Sequence, residues 1–212
     1  MPLRPDVVLY LARHGQATSG PNHRWEASDP LTDLGREQAA DLARHVAALD
    51  PAPSRIVVSP AVRSRETAAP CAAALGLEEE VDERLIEFGS SAVSPYTLAE
   101  MLEHLPFDDI WHPDDPGYDG ETIGSFWRRT AAAAEEIAAA GGSPLVVSHA
   151  GTTLGLLRWA LGIDDSAPDS FAIHVPNASL TTLEARTDRH GRRRMFVRAI
   201  GESSFLSRRT SM

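Results

Sequence analysis

The chain has 212 residues, a formal net charge of −10 from 30 acidic and 20 basic side chains, and an apolar content of 42%. That length and apolar content suit one large α/β domain with a full core, and leave little room for a second. An acidic surface repels nucleic acid and anionic membrane, so neither is expected as a partner. All 20 basic residues are arginine. The absence of lysine excludes a Walker-type phosphate loop and Schiff-base chemistry. Cys71 is the only cysteine, which excludes an internal disulfide and a four-cysteine zinc site; in its alanine-rich stretch it reads as a buried structural thiol. Met1 to Leu11 shows no long apolar run behind a basic start, and no segment reaches the roughly 18 apolar residues of a membrane span. The expectation is a cytoplasmic protein of one domain over 1–212, with a homodimer compatible with the sequence.

In chain order, the first element is an apolar run from Val7 to Ala12. Ala39, Leu42, Val46 and Leu49 then recur at helical spacing, with Thr32 as a suitable N-cap. A second apolar run covers Ile56 to Ser59. Val62 to Leu75 reads as a helix ending at Gly76, with Pro70 inside it. Phe88 to Gly120 breaks the strand–helix alternation and reads as an insertion capping one sheet edge. Within it, Ser94-Pro95 resembles a helix start, followed by a stripe of Leu98, Met101, Leu102 and Leu105. Ile123, Phe126, Trp127, Thr130, Ala134 and Ile137 form another apolar face, leading into Gly141-Gly142. Leu145 to Ser148 is the third apolar run, and a helix is expected from Thr152 to Leu161. Later strands are expected near Phe171 to Val175, Leu180 to Ala185 and Arg194 to Ile200, with a frayed tail at 207–212. Runs that are apolar on both faces belong in a covered parallel sheet. The predicted fold class is therefore α/β: a three-layer α/β/α sandwich around a mostly parallel sheet.

In open α/β sheets, ligands bind outside the carboxyl ends of the strands. The first run leads straight into Arg13-His14-Gly15. The second is followed by Arg63, and the third leads into His149-Ala150-Gly151. Parallel strands would gather two histidines and two arginines at one rim. Such a set suits a phosphate dianion: arginine offers a planar fork, and histidine can donate a hydrogen bond or attack as the neutral imidazole. Gly15 lets the backbone approach a ligand, and the helix expected after Gly151 would point its N-terminus at the same place.

Six segments in order resemble one family. They are Arg13-His14-Gly15; Leu31-Thr32 with Gly35, Gln38 and Ala39; Ser59-Pro60 with Arg63, Thr67 and Ala68; Leu85-Ile86-Glu87 with Gly89; Gly120-Glu121; and Val147-Ser148-His149-Ala150-Gly151. Together they resemble the histidine phosphatase superfamily, in the branch that includes cofactor-dependent phosphoglycerate mutase, and the resemblance covers nearly the whole chain. It implies a phosphoglycerate mutase-like fold and a phosphohistidine intermediate on His14. Arg13, Arg63, His149 and Ala150 would hold phosphate with His14, and Glu87 would act as acid and then as base. No cofactor and no metal is implied. The partners implied are a small phosphomonoester substrate and inorganic phosphate as product.

Rival assignments exist at some positions. Arg65 stands near Arg63 but reads as a surface ion-pair residue, with Glu66 or Asp41 as partner. Glu83 and Glu121 rival Glu87. The remaining histidines read as surface or satisfied groups, and Trp127 as core, with Trp25 and Trp111 near the pocket. Histidine spacing gives no zinc pattern. A mutase and a hydrolase share this site. Phe88 to Gly120 holds no arginine and seven acids (Glu100, Glu103, Asp108, Asp109, Asp114, Asp115 and Asp119), which disfavours a second anionic group on the substrate. The pattern R-H-G-E-S-x-W-N of the mutases is also not kept after Gly15. The expected activity is hydrolysis of a phosphomonoester. A phosphoglycerate mutase-type transferase and a non-catalytic phosphate- or phosphoprotein-binding module are the alternatives. The sequence does not name the substrate.

Overall fold

Three neighbouring strands, over Val7–Arg13, Arg55–Val58 and Pro144–Ser148, owe their place to residues that are apolar on both faces. The computed structural model of the chain describes residues 6–18, 22–90, 94–97, 100, 111–117, 119–168 and 171–209. Among these, the elements in chain order are β1 (Val7–Arg13), α1 (Asp33–Ala47), β2 (Arg55–Val58), α2 (Val62–Leu75), β3 (Glu79–Val81), a 3-10 turn (Glu83–Leu85), α3 (Ile123–Ala139), β4 (Pro144–Ser148), α4 (Ala150–Leu161), β5 (Leu180–Thr187) and β6 (Arg193–Glu202). The sheet order is β3-β2-β4-β1-β5-β6. The first four are mutually parallel, β5 runs antiparallel to β1, and β6 runs antiparallel to β5.

The two-residue period of β1 divides the core. Val7, Leu9 and Leu11 face α3 and α4, where they meet Ala133, Ile137, Leu156 and Leu157. Val8, Tyr10 and Ala12 face α1 and α2, where they meet Leu42, Val46, Ala68 and Cys71. The result is the three-layer α/β/α sandwich. Thr32 caps α1 by accepting the Gly35 N–H, and α2 and α4 end at Gly76 and Gly162. Burial pushes the Cys71 thiol up to about 12, with Glu79 adding to the shift, so it is an inert packing group. Among the described residues, no helix is long and apolar enough to cross a membrane.

Several expectations change. The backbone at 171–176 is not a strand; the Val175 carbonyl there accepts from the Arg13 guanidinium at 2.6 Å. β3 was not anticipated: Glu79-Glu80-Val81 is short, polar and at the sheet edge, where charge is tolerated. α4 starts at Ala150, two residues early. Ser94 is not an N-cap; it is buried, and its N–H donates to the Trp25 carbonyl. Thr97 and Glu100 instead make the reciprocal bonds of a capping box, Glu100 N–H to Thr97 Oγ1 at 3.3 Å and Thr97 N–H to the Glu100 carboxylate at 2.8 Å. The stripe at Leu98, Met101, Leu102 and Leu105 lies outside the described residues. Arg65 pairs with Glu79 at 3.6 Å, and with neither Glu66 nor Asp41. The tail is tethered through Arg209: Ser207 donates twice to Asp41, and Arg208 pairs with Glu37. Residues 210–212 lie outside the described residues.

Candidate active site

Strand register sets the site. Arg13 pairs with Ser148, and Val58 with Val147, so β1, β2 and β4 end level with one another. Their next residues, His14, Ser59 and His149, therefore lie side by side. The His14 N–H donates to the Ser148 carbonyl at 2.8 Å, and the His14 carbonyl accepts from Ala178 N–H and Asn177 Nδ2. The backbone of the residue is thus held on both sides.

The loop after His14 rests on motif residues whose role is structural. The Gly15 N–H donates to Thr67 Oγ1 (3.0 Å), and that hydroxyl donates to the Arg63 carbonyl. The Gln16 N–H donates to Gln38 Oε1 at 2.9 Å, and Thr32 Oγ1 bonds to the Gln16 side chain. Gly15 passes so near Gly35 that a Cβ on it would sit 2.6 Å from the Gly35 carbonyl oxygen. Leu31-Thr32, Gly35 and Gln38 therefore form the seat of the Arg13-His14-Gly15 loop.

His14 is buried, and its Nδ1 lies 2.7 Å from the Gly15 carbonyl oxygen. A carbonyl only accepts, so Nδ1 carries the proton and Nε2 presents a lone pair. His149 meets the His14 ring edge to face, with centroids 5.1 Å apart. Burial lowers the pKa of His14 well below its ordinary range, helped by Arg13 and Arg63 and opposed by the Gly15 bond. Burial also lowers that of His149, with Arg63, His14, Arg13 and Arg129 adding to the shift. Arg13 donates to the Val175 carbonyl (2.6 Å), and Arg63 to the Glu26 carbonyl (2.8 Å) with Trp25 beside its guanidinium at 5.8 Å.

Glu87 reaches the N-terminus of α4. Its Oε2 accepts the Gly151 N–H at 2.8 Å, and its Oε1 the Phe88 N–H at 3.0 Å. Glycine at 151 leaves room for this carboxylate: an added Cβ would lie 2.5 Å from Glu87 Oε1 and push it aside. Ala150 opens the same helix, where backbone N–H groups lack intrahelical partners. The structure thus gathers His14, Arg13, Arg63, His149, Glu87 and Ala150 at one rim. The buried Arg13 guanidinium feels both the Glu87 carboxylate and the Arg63 guanidinium, so two buried cations stand together in a protein whose net charge is −10.

The rival carboxylates are placed elsewhere. Glu121 is bound in a two-point ion pair with Arg129 (2.6 and 2.8 Å), and Glu83 belongs to the 3-10 turn. Arg129 also donates to the carbonyls of Arg84 and Ile86, both at 2.7 Å, and Thr152 Oγ1 donates to that of Leu85. The backbone leading into Glu87 is thereby fixed. Sequence reasoning missed Arg129, because helical periodicity marks it only as a polar position. It also left Ser59, Thr67 and Asn177 without roles, although the first two stand inside a recognised segment. The acidic insertion has a cationic neighbour from outside its own sequence: Arg24 bridges to Thr97 and donates to the Pro95 carbonyl. No group of three or more His, Cys, Asp or Glu side chains able to hold a metal occurs among the described residues.

A family model, Histidine phosphatase superfamily (branch 1), matches residues 9–197. The chain belongs to that superfamily. Among curated relatives it is 31% identical over 189 residues to a bifunctional protein of Mycobacterium tuberculosis, a match covering 85% of this chain and 50% of the relative. The chain therefore spans about half the length of the curated mycobacterial relatives it matches. It is 29% identical over 190 residues to phosphoserine phosphatase 1 of Hydrogenobacter thermophilus, covering 85% and 88% of the two chains. Two solved structures share the phosphoglycerate mutase-like fold. One is a mycobacterial glucosyl-3-phosphoglycerate phosphatase complexed with VO3 (TM-score 0.76, 23% identity, 92% of this chain and 99% of that one). The other is Bacillus stearothermophilus YhfR (TM-score 0.76, 24% identity, 95% and 100%).

Proposed function

We propose that the protein is a phosphohydrolase that moves the phosphoryl group of a small phosphomonoester to His14 and then to water. The observation that carries this reading is the His14 ring: Nδ1 is bound to the Gly15 carbonyl, which leaves a neutral, buried Nε2 beside Arg13, Arg63 and His149. Nε2 attacks phosphorus as the P–O ester bond breaks. Glu87, protonated, gives its proton to the leaving oxygen. Arg13, Arg63, His149 and the Ala150 N–H stabilise charge spread over the equatorial oxygens. Water then attacks the P–N bond and returns a proton to Glu87, which releases inorganic phosphate and neutral His14. The Arg13 and Arg63 guanidiniums supply the positive charge and neutral His149 a hydrogen bond, so the reaction is expected to need no metal. Two of the similar proteins carry phosphatase names with small phosphorylated substrates, which supports this substrate class.

The test is release of inorganic phosphate from an aryl phosphate at mildly acidic pH with a chelator present, together with an acid-labile phosphoenzyme. His14→Ala is expected to abolish both. Failure on a broad phosphomonoester panel, with rapid phosphate exchange on primed 3-phosphoglycerate, would make the protein a mutase. Retention of its biological effect by His14→Ala would make it a binding module.

A further inference from the structure

The two ring nitrogens of His149 have opposite surroundings. Nε2 lies 2.8 Å from the Ser59 hydroxyl oxygen, with the Ser64 hydroxyl at 3.5 Å. Nδ1 is buried without a hydrogen-bond partner among the described residues. Heavy-atom positions leave the tautomer open, and the neighbouring groups decide it. Ser59 Oγ accepts the Ala61 N–H at 3.4 Å, and its own proton needs an acceptor inside a fully buried side chain. His149 Nε2 is placed to be that acceptor. A protonated Nε2 would strand the hydroxyl proton, which buried polar groups avoid.

We propose that Ser59 is a positioning residue that holds neutral His149 as its Nδ1–H tautomer, so that the buried Nδ1 edge donates to a phosphoryl oxygen. The other tautomer would turn a lone pair toward the anion. The arrangement follows from the sheet: Ser59 directly follows β2, His149 directly follows β4, and the Ser59 N–H donates to the Val147 carbonyl at 3.0 Å. The two histidines are then complementary. The Gly15 carbonyl fixes a proton on His14 Nδ1 and bares Nε2 for attack. Ser59 bares His149 Nε2 and fixes a proton on Nδ1 for binding.

The inference rests on the phosphatase reading for its kinetic arm alone. In 15N-histidine-labelled protein, long-range proton–nitrogen correlation is expected to show His149 protonated on Nδ1 and bare on Nε2. Ser59→Ala should mix or reverse that tautomer and weaken orthovanadate and inorganic phosphate binding by roughly tenfold or more, and Ser59→Thr should restore both. With an aryl phosphate, kcat/KM should fall in parallel in Ser59→Ala. An Nε2–H signal for His149 in the wild-type protein overturns the proposal. So does a Ser59→Ala protein, folded by circular dichroism, whose tautomer and phosphate affinity match wild type. If Ser59→Ala does not fold, the wild-type and Ser59→Thr spectra decide. The spectroscopic arm needs no turnover, so its outcome is separate from that of the phosphatase reading.

Discussion

His14 carries its lone pair on Nε2 because Nδ1 is committed to a carbonyl 2.7 Å away. Burial, reinforced by Arg13 and Arg63, keeps the ring neutral at pH values where a free imidazole, with its pKa of about 6.5, takes up a proton. The acid limb that His14 protonation imposes on kcat/KM should therefore lie well below pH 6.5 in the free enzyme. A pH–rate profile paired with a histidine NMR titration checks this, and a His14 midpoint at 6.5 would contradict it. Gly151→Ala forces the Glu87 carboxylate to move, since the new methyl would stand 2.5 Å from Oε1. Glu87 is only partly buried and its carboxylate end can swing aside, so little change in urea unfolding is expected alongside a fall of at least tenfold in kcat. At this scale the sequence was readable where an arginine or histidine directly follows an apolar run, as Arg13-His14 and His149 do. Ser59 escaped because a serine after a strand carries no chemical signature until its neighbour across the sheet is known.

Helix α1 and the His14 loop are one construction. Thr32 caps the helix through Gly35 and also holds Gln16. Thr32→Ala should cost about 1 kcal/mol in chemical denaturation as a lost N-cap. Gly35→Ala should cost more, because its Cβ would meet the Gln16 carbonyl at 2.0 Å, backbone against backbone. Overpacking of this kind costs roughly 1–3 kcal/mol or more. Phosphate affinity should weaken in Gly35→Ala as the loop shifts, which titration calorimetry can measure. Element identity was legible where the apolar period was strong, in β1, β2, β4 and the helices. It was misread at 171–175, where β-branched and aromatic residues suggested a strand but the Val175 carbonyl is taken by the Arg13 side chain. It was missed at β3, where three residues at an edge show no period.

The whole molecule joins a net charge of −10 to a rim with two buried guanidiniums, and added salt screens the long-range repulsion of anions more than the short-range attraction at the rim. His14 and His149 also link stability to pH. Both pKa values are lowered in the folded protein, so the unfolded chain binds more protons on these residues as pH falls below about 6.5. Their contribution is fully present above that pH and is lost as pH drops toward the folded values. Replacing both with asparagine should flatten the fall in unfolding free energy on the acid side of pH 6.5, measured by denaturant titration over a pH series; an unchanged slope would refute the assignment.

Local pattern in the sequence determined the strand–helix alternation, the caps at Thr32, Gly76 and Gly162, and which strands lead into histidine or arginine. These features depend on neighbours within a few residues, where side-chain period and turn chemistry act. The tertiary structure alone decided that β4 lies between β1 and β2, and therefore that Ser59 meets His149 across 90 positions of chain. It likewise decided that Arg129 holds the carbonyl of Ile86, 43 positions away, and that the Thr32–Gln38 segment seats the His14 loop. Strand order and helix packing are collective outcomes of burying two apolar sheet faces at once, and no local spacing encodes which hydroxyl or guanidinium they bring to a given ring or carbonyl.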